Sequence, residues 1–128
     1  MTANDFSDAF WTVLHDAGGD PDQLERILRD APREMVEEYY HEFNRAVANL
    51  WDSSVPACFG DHSEDTQKEI LEHIVSQGRE FYAEIIAHPE RAPIGEHLGA
   101  PAFRGVAIVV YWDRFGQDIP KVRPSESN

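Results

Sequence analysis

The apolar positions Phe6, Ala9, Phe10, Val13, Leu14 and Ala17 recur at intervals of three and four, which places six side chains on one stripe of a helix. Asn4 or Asp5 stands where a side-chain oxygen can cap its start, and Gly18-Gly19 supplies the positive φ that ends it. Asp20-Pro21 repeats the start signal, since a carboxylate accepts from the free N–H groups while proline has none to satisfy. A short second helix follows, predicted to bury Leu24, Ile27 and Leu28. Pro32 interrupts that pattern. Met35, Val36, Tyr39, Phe43, Val47, Leu50 and Trp51 then set up a third, longer helix to about Asp52, with Glu34, Glu37, Glu38, Glu42 and Arg45 on its other face.

Residues 53 to 63 contain Pro56 and Gly60 with little periodicity and read as a loop, after which Asp61 or Ser63 caps the next helix. Ile70, Leu71, Ile74, Val75, Gly78, Phe81, Tyr82, Ile85 and Ile86 keep helical spacing until Pro89, so one long helix is predicted, bending at Gly78. A glycine on the apolar stripe predicts close helix packing there. The stretch Pro89 to Pro101, with three prolines and two glycines, reads as an extended loop.

The last element is ambiguous by propensity. Residues 103 to 115 are rich in β-branched and aromatic side chains, which favour strand. Yet Phe103, Val106, Ala107, Val110, Tyr111 and Arg114 also fit a helix opened by Pro101 and closed by Gly116, and no second strand candidate exists to pair with a lone one. A helix buried on more than one side is the expectation. The fold class is therefore all-α: a compact bundle of five or six helices with a Pro/Gly-rich loop before the last. Residues 1 to 120 form one domain in this reading, and the polar end of the chain from Gln117 frays into a flexible tail over 121 to 128.

Composition narrows the function classes. The chain has 128 residues, 41% of them hydrophobic, which suffices for a core. It carries 24 Asp plus Glu against 11 Lys plus Arg, a net charge of −13, so a nucleic-acid partner is not expected. The acidity is concentrated early, with 14 acids and 4 bases in residues 1 to 64. The longest apolar run, Val106 to Trp112, is far shorter than the ~20 residues of a membrane-spanning helix, and no signal pattern opens the chain. Cys58 is the single cysteine and has no internal partner for a disulfide. A cytoplasmic protein, with Cys58 as buried filler, is the expectation.

Phe10-Trp11, Leu50-Trp51, Ser63-Glu64-Asp65 and above all Ile74-Val75-Ser76-Gln77-Gly78-Arg79, followed by Phe81-Tyr82 and His88-Pro89-Glu90, resemble the bacterial family catalogued as domain of unknown function 4240. The resemblance covers most of the chain and extends weakly through Tyr111 to Pro120. It departs where His73 stands in place of a tryptophan common in that family. The resemblance implies a small α-helical domain and carries no established activity.

Catalytic templates are missing: there is no phosphate loop with lysine, no Gly-x-Ser-x-Gly, no His-Glu-x-x-His and no calcium loop. Asp61, His62, Ser63, Glu64 and Asp65 gather carboxylates and an imidazole, but helix capping explains them more simply than a metal site. Glu37 with His41 and Glu69 with His73 read as surface pairs one turn apart. Arg79 stands out on an acidic protein, either pairing internally with a carboxylate such as Asp65 or offering its fork to a ligand anion. Trp11, Trp51 and Trp112 are expected mostly in the core, and two exposed together would mark a partner surface.

Two functions compete. The first is a non-enzymatic interaction module whose acidic face, Asp20, Asp22, Glu34, Glu37, Glu38 and Glu42, meets a basic partner protein; a toxin-neutralising, immunity-like inhibitor is one form of it. The second is a small enzyme or ligand-binding domain with a pocket between the third and fourth helices formed by His62, Asp65, Arg79 and Tyr82. No metal or cofactor is expected in either. Acidity that serves solubility alone is the blandest reading.

Overall fold

Ser7 opens the first helix. Its extended backbone (φ −67°, ψ 152°) lets Oγ accept from the Phe10 N–H, starting α1 (Asp8–Ala17), which Gly18 ends at φ 59°. The computed structural model describes residues 6 to 58, 63 to 92 and 102 to 120. Asn4 and Asp5, the caps expected from sequence, lie outside the described residues, as do Asp61, His62, the loop after Ala92, the tail from residue 121 and the burial of Cys58. What selects Ser7 is remote in sequence. Its N–H donates to Glu42 Oε1 at 2.7 Å and its hydroxyl to Glu42 Oε2 at 2.8 Å, so a buried carboxylate from the third helix ties down the start of the first.

Asp20 caps α2 (Pro21–Arg29) through the Asp22 N–H, with Leu24 and Leu28 buried and Ile27 at the core's edge. Pro32 precedes α3 (Arg33–Trp51). Ser63 then caps α4 (Glu64–Ser76), and α5 (Arg79–Ala87) and α6 (Ala102–Phe115) complete six α-helices among the described residues, with short 3-10 turns at Pro56–Cys58 and Pro89–Arg91. The all-α class expected from periodicity is the observed one.

The long helix expected from residue 64 to 88 is two. Gly78 has φ 102° and ψ 179°, a conformation that cannot continue a helix, and the chain restarts at Arg79. Close packing is not the reason for this glycine either, because a Cβ placed there would meet nothing within 4 Å. Its role is the turn.

One buried cluster extends from Phe6 to Ile119. α6 lies against α2 and α3 and runs antiparallel to α3: Arg33 Nε donates to the Tyr111 hydroxyl, while six positions on, the Tyr39 hydroxyl donates to the Phe103 carbonyl. Only one side of α6 is covered among the described residues. Phe103, Ala107, Val110 and Tyr111 point inward while Ile108, Val109 and Trp112 face outward, which corrects the expectation of burial on several sides. The β-branched run is helical because its stripe fits a core, and tertiary packing overrides propensity. Arg114 closes the arrangement by donating to the Leu28 carbonyl in the last turn of α2 and to the Ala31 carbonyl just past it. Ile119 is also buried, so the described part of the polar end is anchored as far as that side chain.

His41 corrects a second expectation. It is buried in α3 rather than paired at the surface with Glu37, and its Nε2 has no hydrogen-bond partner among the described residues. An unsatisfied buried polar group costs about 1–3 kcal/mol. His41→Leu is therefore expected to raise stability by about 1 kcal/mol in a urea titration, and a clear loss would show that the imidazole is satisfied.

Candidate functional site

The four polar residues expected to share a pocket do not converge. Asp65 stands in the first turn of α4, whereas Arg79 follows that helix's last residue, so about 16 Å of helix separates them at ~1.5 Å per residue. Arg79 bonds Asp8 of α1 at 3.1 Å, not Asp65. Tyr82 is fully buried: its hydroxyl donates to the Ala46 carbonyl at 3.1 Å and accepts from Asn49 Nδ2 at 2.7 Å, and its ring meets Phe6 and Trp11. It is a strut of the core. His62 lies outside the described residues.

Of those four residues, Asp65 and Arg79 line different open cavities. The cavity beside α1 and α5, about 540 Å³, is lined by Asp8, Trp11, Thr12, His15, Gln77 and Arg79, among others. Asp8 already meets the guanidinium there. The second is a groove of about 430 Å³ between α3 and α4. Val47, Ala48 and Trp51 give it apolar walls, while Asp52, Glu64, Asp65 and Glu72 supply four carboxylates against one ammonium, Lys68. Among the described residues no group of three or more His, Cys, Asp or Glu side chains is placed to hold a metal ion.

The acidic face predicted on α2 and α3 divides into two kinds of residue. Glu34 and Asp22 are exposed and Glu38 is half-buried. The other three hold the fold. Asp20 caps α2, Glu42 holds Ser7, and Glu37 accepts from the Tyr111 hydroxyl at 2.6 Å and from Arg33. Burial pushes the Tyr111 phenol upward, and the bond to Glu37 acts in the same direction against the opposing pull of Arg33. Tyr111 thus remains a neutral donor at pH 7. Burial also holds the His73 imidazole below its ordinary value, while Glu69, its expected partner, is exposed.

The tryptophans also part company. Trp11 is core, as expected, but Trp51 and Trp112 are 38% and 54% exposed. They are not adjacent: Trp112 follows Tyr111, which meets Arg33 at the start of α3, and Trp51 is that helix's last residue, about 27 Å away at ~1.5 Å per residue. Periodicity had placed Trp51 at the edge of its stripe, and Asp52, Glu64 and Asp65 were legible as loop and capping residues. Nothing in one dimension shows that the loop between them folds both groups against a common groove.

Six cations among the described residues are engaged by the protein's own groups. Arg29 bridges Glu25 and Asp113, Arg33 bonds Glu37, Arg79 bonds Asp8, and Arg91 bonds Glu84. Arg114 donates to carbonyls and Arg45 lies over the Phe6 ring. No family model, curated protein or solved structure matches the chain.

Proposed function

We propose that this protein is a non-catalytic interaction module that meets a basic partner protein in the cytoplasm. The observation that supports the reading most is the internal engagement of the arginines: with their charge held against the protein's own groups, the excess carboxylates of a −13 chain define the outward field. Such a field raises the encounter rate with a basic surface and disfavours acidic competitors. Glu34, Glu38 and Asp22 on one side and the α3–α4 groove on another are its outward elements. Asp65, Arg79 and Tyr82 stand apart, so these three do not line one cavity, which favours the interaction reading over the enzymatic alternative. Membership of the family named above belongs to the same reading and supplies no activity of its own. No helix among the described residues is long and apolar enough to cross a membrane.

Capture from a lysate of the source organism tests the reading. A basic protein is expected to be retained at about 20 mM salt and released by about 0.5 M, where surface charges are screened within a few ångströms. An immunity-like inhibitor would retain a basic toxin. Retention of no partner at low salt, or of one that withstands high salt unchanged, contradicts it.

A further inference from the structure

We propose that the groove between α3 and α4 seats an arginine side chain of that basic partner, an inference that rests on the interaction-module reading and assigns its contact point. Three sources of negative potential meet there. The exposed charges of the lining are the carboxylates of Asp52, Glu64 and Asp65 against the ammonium of Lys68, a formal charge of −2. α3, 19 residues long, ends at the groove with no basic residue in its last turn and with Asp52 as its C-cap, so the negative end of its dipole is reinforced. Trp51, the last residue of that helix, gives the groove an aromatic wall.

The N-terminus of α4 opposes them. Its partial charge, roughly half a unit, is outweighed by Glu64 and Asp65 in its own first turn. Arginine fits this combination better than lysine. Its planar guanidinium is weakly hydrated, stacks on an indole face and can offer paired donors to a carboxylate, whereas an ammonium is a compact, strongly hydrated charge. Val47 and Ala48 would cover the side chain's methylenes. The exposed apolar side of α6 has no carboxylate between Ala102 and Trp112 and offers no such complement.

The test uses the three tryptophan indole N–H resonances of the ¹⁵N-labelled protein, assigned by single substitutions, with N-acetyl-arginine amide as probe and its lysine and citrulline counterparts as controls. The Trp51 resonance should shift saturably with the arginine probe, less with lysine and not with the uncharged citrulline, while Trp112 stays in place. Glu64→Gln with Asp65→Asn should weaken the arginine effect about tenfold, as the loss of two charge-assisted contacts implies. Equal shifts of Trp51 and Trp112, an equal response to citrulline, or no shift at Trp51 overturns the groove assignment. Trp51→Leu, checked for an unchanged melting curve, is then compared with the parent protein against the captured basic partner. Affinity at least about tenfold weaker supports the seat. Unchanged affinity overturns it while leaving the interaction module standing, whereas failure of the module reading shows separately, as absence of any basic partner.

Discussion

Tyr82→Phe is expected to lower stability by about 1–3 kcal/mol, and Tyr82→Ala by about 3–5 kcal/mol. The phenylalanine change keeps the ring against Phe6 and Trp11 and deletes only the hydroxyl, leaving the Ala46 carbonyl and the Asn49 amide without that partner at a fully buried site. Loss of the whole ring adds a cavity where α1, α3 and α5 meet. The two losses differ in kind, so their ratio is informative. Denaturant midpoints at constant slope measure both. A Tyr82→Phe protein within about 0.5 kcal/mol of the parent would show that the hydroxyl is not the strut the geometry makes it.

Gly78→Ala should cost about 1–3 kcal/mol through the backbone alone. No neighbouring atom obstructs a methyl group at that position, so steric crowding contributes nothing, and the penalty arises from forcing an L-residue into φ 102°, ψ 179°. Gly105 in α6 is the internal control. It also faces open space but has ordinary helical backbone, so Gly105→Ala should instead stabilise by about 0.5–1 kcal/mol. Opposite signs at two glycines with equally empty surroundings would isolate backbone conformation as the cause. Equal, small effects would contradict it.

Gly78 also shows where reading along the chain stops. A glycine that allows two helices to touch and a glycine that turns one helix into two occupy the same place in an apolar repeat, and only the backbone angle separates them. Periodicity located α1, α2 and α3, because each buries a stripe spaced at three and four residues and each start or stop has its own Pro, Gly or Asp, whereas α6 also needed the lack of a second strand to pair with it. The N-cap of α1 needed Glu42, 35 residues away, to select Ser7. His41 and Tyr82 illustrate the same limit for polar side chains. His41 reads as a surface partner of Glu37 and Tyr82 as a pocket residue in the sequence, yet both side chains are buried. The groove was hidden for the converse reason. Trp51 and Asp65 are unremarkable as an apolar-stripe aromatic and a helix-start acid until α3 and α4 lie side by side and put them on one groove.

The ion pairs follow a related logic. Arg29–Asp113 and Arg79–Asp8 each join elements far apart in the chain, yet they are exposed, and solvent screening leaves such pairs little weight in stability. Their larger consequence is electrostatic. They hold cations close to the protein's own carboxylates, while the exposed Glu34 and Asp22 face what approaches from outside.

The most direct measurement is therefore the salt dependence of the association rate with the captured partner, for the parent protein and for a variant carrying Asp22→Asn, Glu34→Gln and Glu38→Gln. Outward carboxylates steering a basic partner predict a parent rate that falls steeply between about 20 mM and 0.3 M salt, and a variant that is slower at low salt but converges with the parent at high salt. Rates that do not respond to salt, or a variant indistinguishable from the parent across the whole range, would contradict an acidic interaction surface.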